Sequence, residues 1–285
     1  MFLAVGHDGL RMISQRGDAW GKPQLGKEGE TFRAAAFGNG RFVTVGSYGG
    51  DNVLASSKDG EKWELGERKG EYKDYFRGLA FGNGTFLALG GEPGTVGNAR
   101  PFVALSKDGV TWDENARIEG KYVLRRAAYG NSTWVAVGDR GRIAASADGK
   151  TWKDAEGTAP IDTLIDVTFG NGLFVGVGLH GLRRTSTDGA KWSEPVRGNE
   201  GEHLNSVVFT GKQFVAIGAG ATYFSVNGKD WRRVPNQNAP TFATYGDNVF
   251  AGTSWRGRLL RSTDAVKWVD MHKSEHPVEA ITFGR

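Results

Sequence analysis

The sequence predicts an all-β protein, a seven-bladed β-propeller of four-stranded antiparallel blades, and three observations carry that prediction. A seven-residue motif recurs along the whole chain. A strand–turn–strand motif recurs ahead of it. The two ends of the chain hold complementary parts of one more such unit.

The seven-residue motif is clearest as "SADGKTW" (146–152). It returns as "SKDGEKW" (57–63), "SKDGVTW" (106–112), "STDGAKW" (186–192), "SVNGKDW" (225–231), "STDAVKW" (262–268) and, degraded, "SQRGDAW" (14–20). The serines at 14, 57, 106, 146, 186, 225 and 262 set a period of roughly 40 residues, the spacing of propellers and solenoids. The second motif reads "FGNGRFVTVG" from Phe37, "FGNGTFLALG" from Phe81, "YGNSTWVAVG" from Tyr129 and "FGNGLFVGVG" from Phe169, with looser copies from Phe209 and Tyr245. The chain ends in "ITFGR" and begins with "MFLAVG", which joined end to start supply the seventh copy. A ring follows, closed by the C-terminal strand pairing with the N-terminal strands. Its first blade is shared between residues 1–20 and 277–285, and residues 1–285 form a single domain. An open stack would leave two unpaired edges, which ring closure removes.

Each unit resolves into four strands. Strand A is "RAAAF" (33–37) or "IDVTF" (165–169), and the following "GNG" is a tight hairpin signal because Asn and Gly tolerate positive φ. Strand B, "RFVTV" (41–45), alternates and is rich in Val and Phe. Strand C is "RIAAS" (142–146), and the Asp-Gly pair then turns the chain into strand D, which carries the Trp. In "SADGKTW" the Asp148 carboxylate is expected to accept backbone N–H groups two and three residues on, as an Asx-turn does. Gly149 supplies the turn conformation, and Trp152 is an apolar wedge against the neighbouring blade. Seven copies of a structural staple fit one domain; seven copies of an active site do not.

Composition bounds the function. The chain has 285 residues, 44 Gly, 8 Pro and no Cys, which excludes disulfides and thiolate metal sites. Net charge is +4 and the pI about 9.2. Acids and bases are interspersed, as in "ELGERKGEYKDYFR" (64–77), rather than gathered into the stripe of a nucleic-acid binder. No apolar run is long enough to span a bilayer, and no signal-peptide pattern opens the chain. No nucleic acid, membrane span, metal or cofactor is expected, and the protein is expected to be a monomer.

The seven-residue motif resembles the Asp-box repeat of sialidase-type and related BNR propellers. Asp59, Asp108, Asp148, Asp188 and Asp264 match the Asp of that motif, with Asn227 in the sixth copy. The family form has one more residue between Asp and Gly. Arg16 replaces the Asp in the first copy and Ala265 the Gly in the last, so those two turns are expected to be the least regular. The resemblance implies a propeller fold and an extracytoplasmic or cell-envelope setting.

Strand order sorts the loops by face. The uniform A–B and C–D turns share one face, and the B–C and D–A connections share the other. All five His (7, 180, 203, 272 and 276) fall in segments of the variable face, with Tyr48, Tyr72, Tyr75, Tyr122 and Trp255. Its B–C turns include "HDG" (7–9), "DRG" (139–141), "LHG" (179–181) and "WRG" (255–257), and an insertion spans 91–101. The residue entering strand A, at the channel mouth, is Arg33, Arg77 and Arg125 in three successive units, then Ile165, Asn205, Thr241 and Glu279. Three guanidiniums from neighbouring blades suit a carboxylate or sulfate; pairing with Glu28, Asp74 or Glu119 is the alternative. The candidate ligand-binding set is therefore Arg33, Arg77, Arg125, Tyr75, His7, Arg140, His180 and Trp255.

No catalytic set assembles from the sequence, which favours a non-catalytic binding or scaffold propeller with a protein or glycan partner, anionic in character. One alternative is a glycan-active enzyme, a sialidase-like hydrolase or polysaccharide lyase with an Arg-lined mouth. Tyr75 with Asp74 or Glu71 would then be its nucleophile pair, or His180 or His203 its base. "YFRG" (75–78) resembles a sialidase element, but sialidases generally have six blades. Another alternative, implied by resemblance to seven-unit Asp-box propellers, is an assembly factor for a larger complex.

Overall fold

A computed structural model describes residues 1–66, 75–91, 100–113, 116–120, 122–156 and 161–285. Seven antiparallel sheets surround a central axis. Blade 1 contains β1 (Phe2–Gly6) and β2 (Arg11–Ser14). Blade 2 runs β3 (Thr31–Gly38), β4 (Arg41–Tyr48), β5 (Asp51–Ser57) and β6 (Glu64–Leu65). Blade 3 runs β7 (Tyr75–Gly82), β8 (Thr85–Gly91), β9 (Pro101–Ser106) and β10 (Ala116–Arg117). Blade 4 runs β11 (Leu124–Gly130), β12 (Thr133–Gly138), β13 (Ile143–Ser146) and β14 (Lys153–Asp154). Blade 5 holds β15 (Leu164–Gly170), β16 (Leu173–Gly178) and β17 (Arg183–Ser186). Blade 6 holds β18 (Leu204–Phe209), β19 (Phe214–Gly218), β20 (Ala221–Ser225) and β21 (Arg232–Pro235). Blade 7 holds β22 (Phe242–Gly246), β23 (Val249–Ser254), β24 (Arg258–Ser262) and β25 (Val269–Lys273). The last strand, β26 (Val278–Phe283), returns to pair with β1.

The innermost strands β26, β3, β7, β11, β15, β18 and β22 touch in succession and close the ring. Closure is by strand pairing, from Phe2 opposite Phe283 to Val5 opposite Ala280. Met1 N donates to Gly284 O at 2.7 Å, and Gly284 N to Met1 O at 2.9 Å. In blades 1 and 5 the fourth, outer strand shrinks to a single bridge, Arg11 with Gln24 and Arg183 with Val196. The motif tryptophans sit in the turn just before the outer strand, not within it, so strand D begins after the tryptophan that it was expected to carry.

The core is divided among the blade interfaces. Seven apolar clusters form, one between each pair of neighbours, and each takes in one motif tryptophan. Trp112 is only 2% exposed between blades 2 and 3. In six of the seven blades the aromatic near the end of the inner strand lies on a glycine of the preceding blade. A Cβ on Gly38, Gly82, Gly130, Gly170, Gly246 or Gly284 would overlap the ring of Phe81, Tyr129, Phe169, Phe209, Phe283 or Phe37. The "FG" of the repeat is thus an inter-blade joint, with the ring of one blade filling the space a side chain would take on the last.

Strand β26 buries Val278, Ala280 and Ile281 against blades 7, 1 and 2. Deleting residues 279–285 exposes those surfaces and the edge of β1, and should lower the unfolding free energy by about 3 kcal/mol or more in urea titration. A wild-type urea midpoint would contradict closure through β26.

Candidate functional site

The repetitive turns behave as structural staples. Asp148 Oδ1 accepts the N–H groups of Lys150 and Thr151 at 2.8 and 2.7 Å, and Ser146 Oγ accepts that of Gly149 at 2.9 Å. Trp152 Nε1 donates to Gly149 O at 2.9 Å, which ties the wedge to the turn. The paired N–H contacts to the acidic or amide oxygen recur at Asp59, Asp108, Asp188, Asn227 and Asp264. The last turn, expected to be irregular, is not: Ala265 takes φ +59 and keeps every contact, Trp268 Nε1 to Ala265 O included. The first turn is irregular, because Arg16 cannot accept those N–H groups and Trp20 Nε1 is buried without a partner among the described residues. Asn39 Nδ2 donates to Gly84 O and Lys107 O, and Asn131 Nδ2 to Gly172 O and Thr187 O. These contacts place the A–B and C–D turns on one face.

The opposite face is set by β-bulges. Phe32 pairs with Gly46 and Ala34 with Val45, which leaves Arg33 as an extra residue turned out of the ladder. The same shift occurs at Arg77, Arg125, Ile165, Asn205 and Glu279. A bulge re-aims one side chain, and in six of the seven blades it turns a residue near the start of the inner strand out of the ladder. The glycine ending strand B makes room for it. A Cβ on Gly6, Gly46, Gly138, Gly178 or Gly218 would overlap the carbonyl oxygen of Pro277, Thr31, Val123, Thr163 or His203. In blade 7 the pairing stops at Phe242 opposite Thr253, Thr241 N–H bonds Thr253 O at 2.9 Å, and Ser254 stands in the glycine position.

Arg33, Arg77 and Arg125 come together with Arg126, Ile165 and Glu279 around one cavity of about 250 Å³ at this mouth. Arg33 Nε is buried and has no hydrogen-bond partner among the described residues. Arg125 Nε donates to Asp139 Oδ1 at 2.5 Å, so its acid partner comes from its own blade's B–C turn and is not Glu119. Asp74 and Glu71, with Tyr72, lie outside the described residues, as does most of the 91–101 insertion. Tyr75 opens β7, but its side chain lies outside the described residues as well.

Arg126 is the site residue that strand alternation hid. Without a bulge, Arg125 and Arg126 would face opposite ways; with it, both line the mouth. Arg126 sits deep in the channel, where its remaining surface faces the lumen. Its Nη1 donates to Arg77 O at 2.9 Å and its guanidinium lies 5.0 Å from the Phe242 ring centroid. Below it is buried Asp166, whose carboxyl is pushed up to about 6 by desolvation, against the pull of Arg126 and of the Val207 and Val167 N–H groups. Arg126 and Asp166 also line the chamber of about 370 Å³ that opens between the aromatic ring ends on the other side.

The remaining candidates ring the mouth. His7 Nε2 lies 2.7 Å from Glu279 Oε1. His276 Nδ1 lies 2.9 Å from Asp8 Oδ2, and the Gly29 N–H and His276 hold the Asp8 carboxyl below its usual range. His180 Nδ1 lies 3.2 Å from Asp162 Oδ1, and the His180 backbone N–H donates to His203 Nδ1 at 3.2 Å. Arg140 is exposed at φ +55 in its turn, and Trp255 is 80% exposed. His272, expected in a loop, lies on outer strand β25 opposite Leu259. Tyr223 OH bonds Glu202, whose carboxyl is lowered to about 2 chiefly by Arg233. That Tyr–Glu pair is buried in the core between blades 5 and 6, not open in the mouth.

The fold is a seven-bladed β-propeller with a basic mouth on its axis. No protein-family model matches the sequence, and no curated protein matches it. Solved structures do. One is YCF48 bound to a D1 peptide, with TM-score 0.66 and 19% identity over 91% of this chain and 86% of that one. Another is YCF48 from Cyanidioschyzon merolae, with TM-score 0.59 and 16% identity over 85% and 84%. The WD40 β-propeller domain of Doa1 gives TM-score 0.63 and 12% identity over 92% and 86%. At these identities the likeness is one of fold.

The Asp148 turn yields a pH test. Backbone N–H groups of Thr151 and Lys150 lower its carboxyl to about 2 from 3.8. The folded value is depressed, so the stabilisation is complete above 3.8 and is lost as pH falls through about 2. Asp148→Ala should cost about 1 kcal/mol at pH 7, modest because the carboxylate is exposed, with the difference closing toward pH 2. Asp148→Asn should retain most of the stability, as Asn227 does in blade 6. Urea midpoints of the three proteins across this range check it; an Ala penalty that persists at pH 2 would contradict it.

Proposed function

We propose that this protein is a non-catalytic binding propeller that holds an acidic polypeptide segment across the arginine-lined mouth. The observation that carries the reading is the convergence of Arg33, Arg77, Arg125 and Arg126 on one cavity with Glu279 as the single lining carboxylate among the described residues, itself engaged by His7. Guanidiniums on separate blades can grip carboxylates of one ligand in several directions. That YCF48, similar in fold, has been solved with a D1 peptide supports a polypeptide partner. The described residues lining the cavity itself are Arg, Ile and Glu, which supports a charged ligand there over a sugar face stacked on an aromatic ring. The serine–aspartate turns support kinship with Asp-box repeats, in which they serve as scaffold. Scaffold action as a monomer, in assembling a larger complex, is consistent with this binding role.

A fluorescein-labelled Glu-rich peptide and its Lys-for-Glu counterpart test the proposal by fluorescence anisotropy. The Glu peptide should bind, more weakly as salt rises, and the Lys peptide should not. Arg33→Ala with Arg77→Ala should weaken binding by about tenfold or more while leaving Tm nearly unchanged. Equal affinity for both peptides, or wild-type affinity in the double variant, would overturn the reading.

A further inference from the structure

Four B–C turns on the variable face share one backbone. Asp8, Arg140, His180 and Arg256 lie at φ +54, +55, +55 and +60, each followed by a glycine at φ +64 to +73. These are two-residue primed turns, with Leu10, Arg142 and Leu182 N–H groups closing onto His7, Asp139 and Leu179 O. The backbone is constant and the side chains vary. The first residue of the turn stands over the mouth: His7 contacts Glu279, and Asp139 contacts Arg125.

Trp255 holds that station in blade 7. The residue beneath it is Thr241, whose N–H and hydroxyl both bond Thr253 O at 2.9 Å. Thr241 is too short to engage the indole, which is left 80% exposed, the most exposed large apolar side chain among the described residues. The turn itself is held: Ser274 N donates to Gly257 O at 2.9 Å, and a Cβ on Gly257 would meet Ser274 and His276 carbonyl oxygens. A rigid turn that keeps an indole in water, beside an exposed Arg256 at positive φ, suits an interface anchor, for which Trp and Arg are the favoured residue types. In ring order blade 7 lies three blades from blade 3 by one route and four by the other. Trp255 therefore stands across the mouth from the arc of Arg33, Arg77 and Arg125.

We propose that Trp255 is a second anchor of the same site. An aromatic or proline side chain of the bound acidic segment stacks on the indole, while the segment's carboxylates reach the arginines of blades 2 to 4. This rests on the peptide-binding reading, and it adds a requirement that charge alone does not impose: an apolar residue at a fixed separation from the acidic ones. The basic arc fixes the segment's charge, and Trp255 fixes its direction across the channel.

A double-mutant cycle tests this. The probes are fluorescein-labelled peptides with one Phe separated from a Glu-Glu pair by Gly-Ser linkers of about two to six residues, a reach set by extended chain at about 3.4 Å per residue. One linker length should bind best. At that length Trp255→Ala should weaken binding about tenfold, replacing the peptide's Phe by Ala should cost no more in that variant, and Trp255→Phe should restore part of the loss. Tm should hold in the Trp255 variants because the side chain is 80% exposed. If Trp255→Ala leaves affinity unchanged while Arg33→Ala with Arg77→Ala weakens it, the anchor is refuted and the acidic-segment reading stands. If neither change alters binding, both fall.

Discussion

The mouth of this propeller depends on one steric constraint: a residue without a Cβ at the end of strand B, opposite a bulged inner strand. The carbonyl two residues before the bulge occupies the space a Cβ would need. Gly178 shows that this is a matter of room and not of backbone freedom, since its φ of −171 is open to any residue. Accepting the bulge turns one side chain out of the ladder and toward the axis. The bulge recurs on blades 1 to 6, and five of its six turned-out residues line the cavity at the channel mouth.

The two faces then divide the work. On one, Asp and Asn side chains satisfy turn N–H groups and tryptophans wedge the blade interfaces, so the repeated residues are occupied with the fold. On the other, a constant hairpin turn displays a variable side chain beside a constant bulge that displays another. Charge follows the same division. The turn carboxylates are held ionised by backbone N–H groups, whereas at the axis Asp166 is desolvated and opposes the buried Arg126. The guanidinium arc on blades 2 to 4 is the part of the axis that lacks an equal complement of acids among the described residues.

Much of this was legible in the sequence. The period fixed the number of blades, the split copy predicted β26 against β1, and the first residue of each inner strand was a recognisable position because Arg33, Arg77 and Arg125 repeat there. What escaped was register. A bulge shifts the two-residue alternation by one, so Arg126 reads as a blade-facing residue in "LRRAAY" and is in fact a lining one. Ala265 reads as a broken turn, yet a neighbouring side chain set strong enough to hold it at positive φ keeps the turn intact. His272 reads as loop because outer strands are short and carry little alternation. The recurring "VG" at the end of strand B was visible as a pattern, but its cause, the carbonyl facing it, belongs to another strand.

The stability of Gly178→Ala tests the central constraint most directly. The added methyl has no place to go without displacing Thr163 O and the bulge at Ile165. The urea unfolding free energy should fall by about 2–4 kcal/mol, whereas Ser254→Gly, where the inner strand has already ended, should change it by less than about 1 kcal/mol. A Gly178→Ala protein with the wild-type unfolding free energy would show that the glycine is not what admits the bulge.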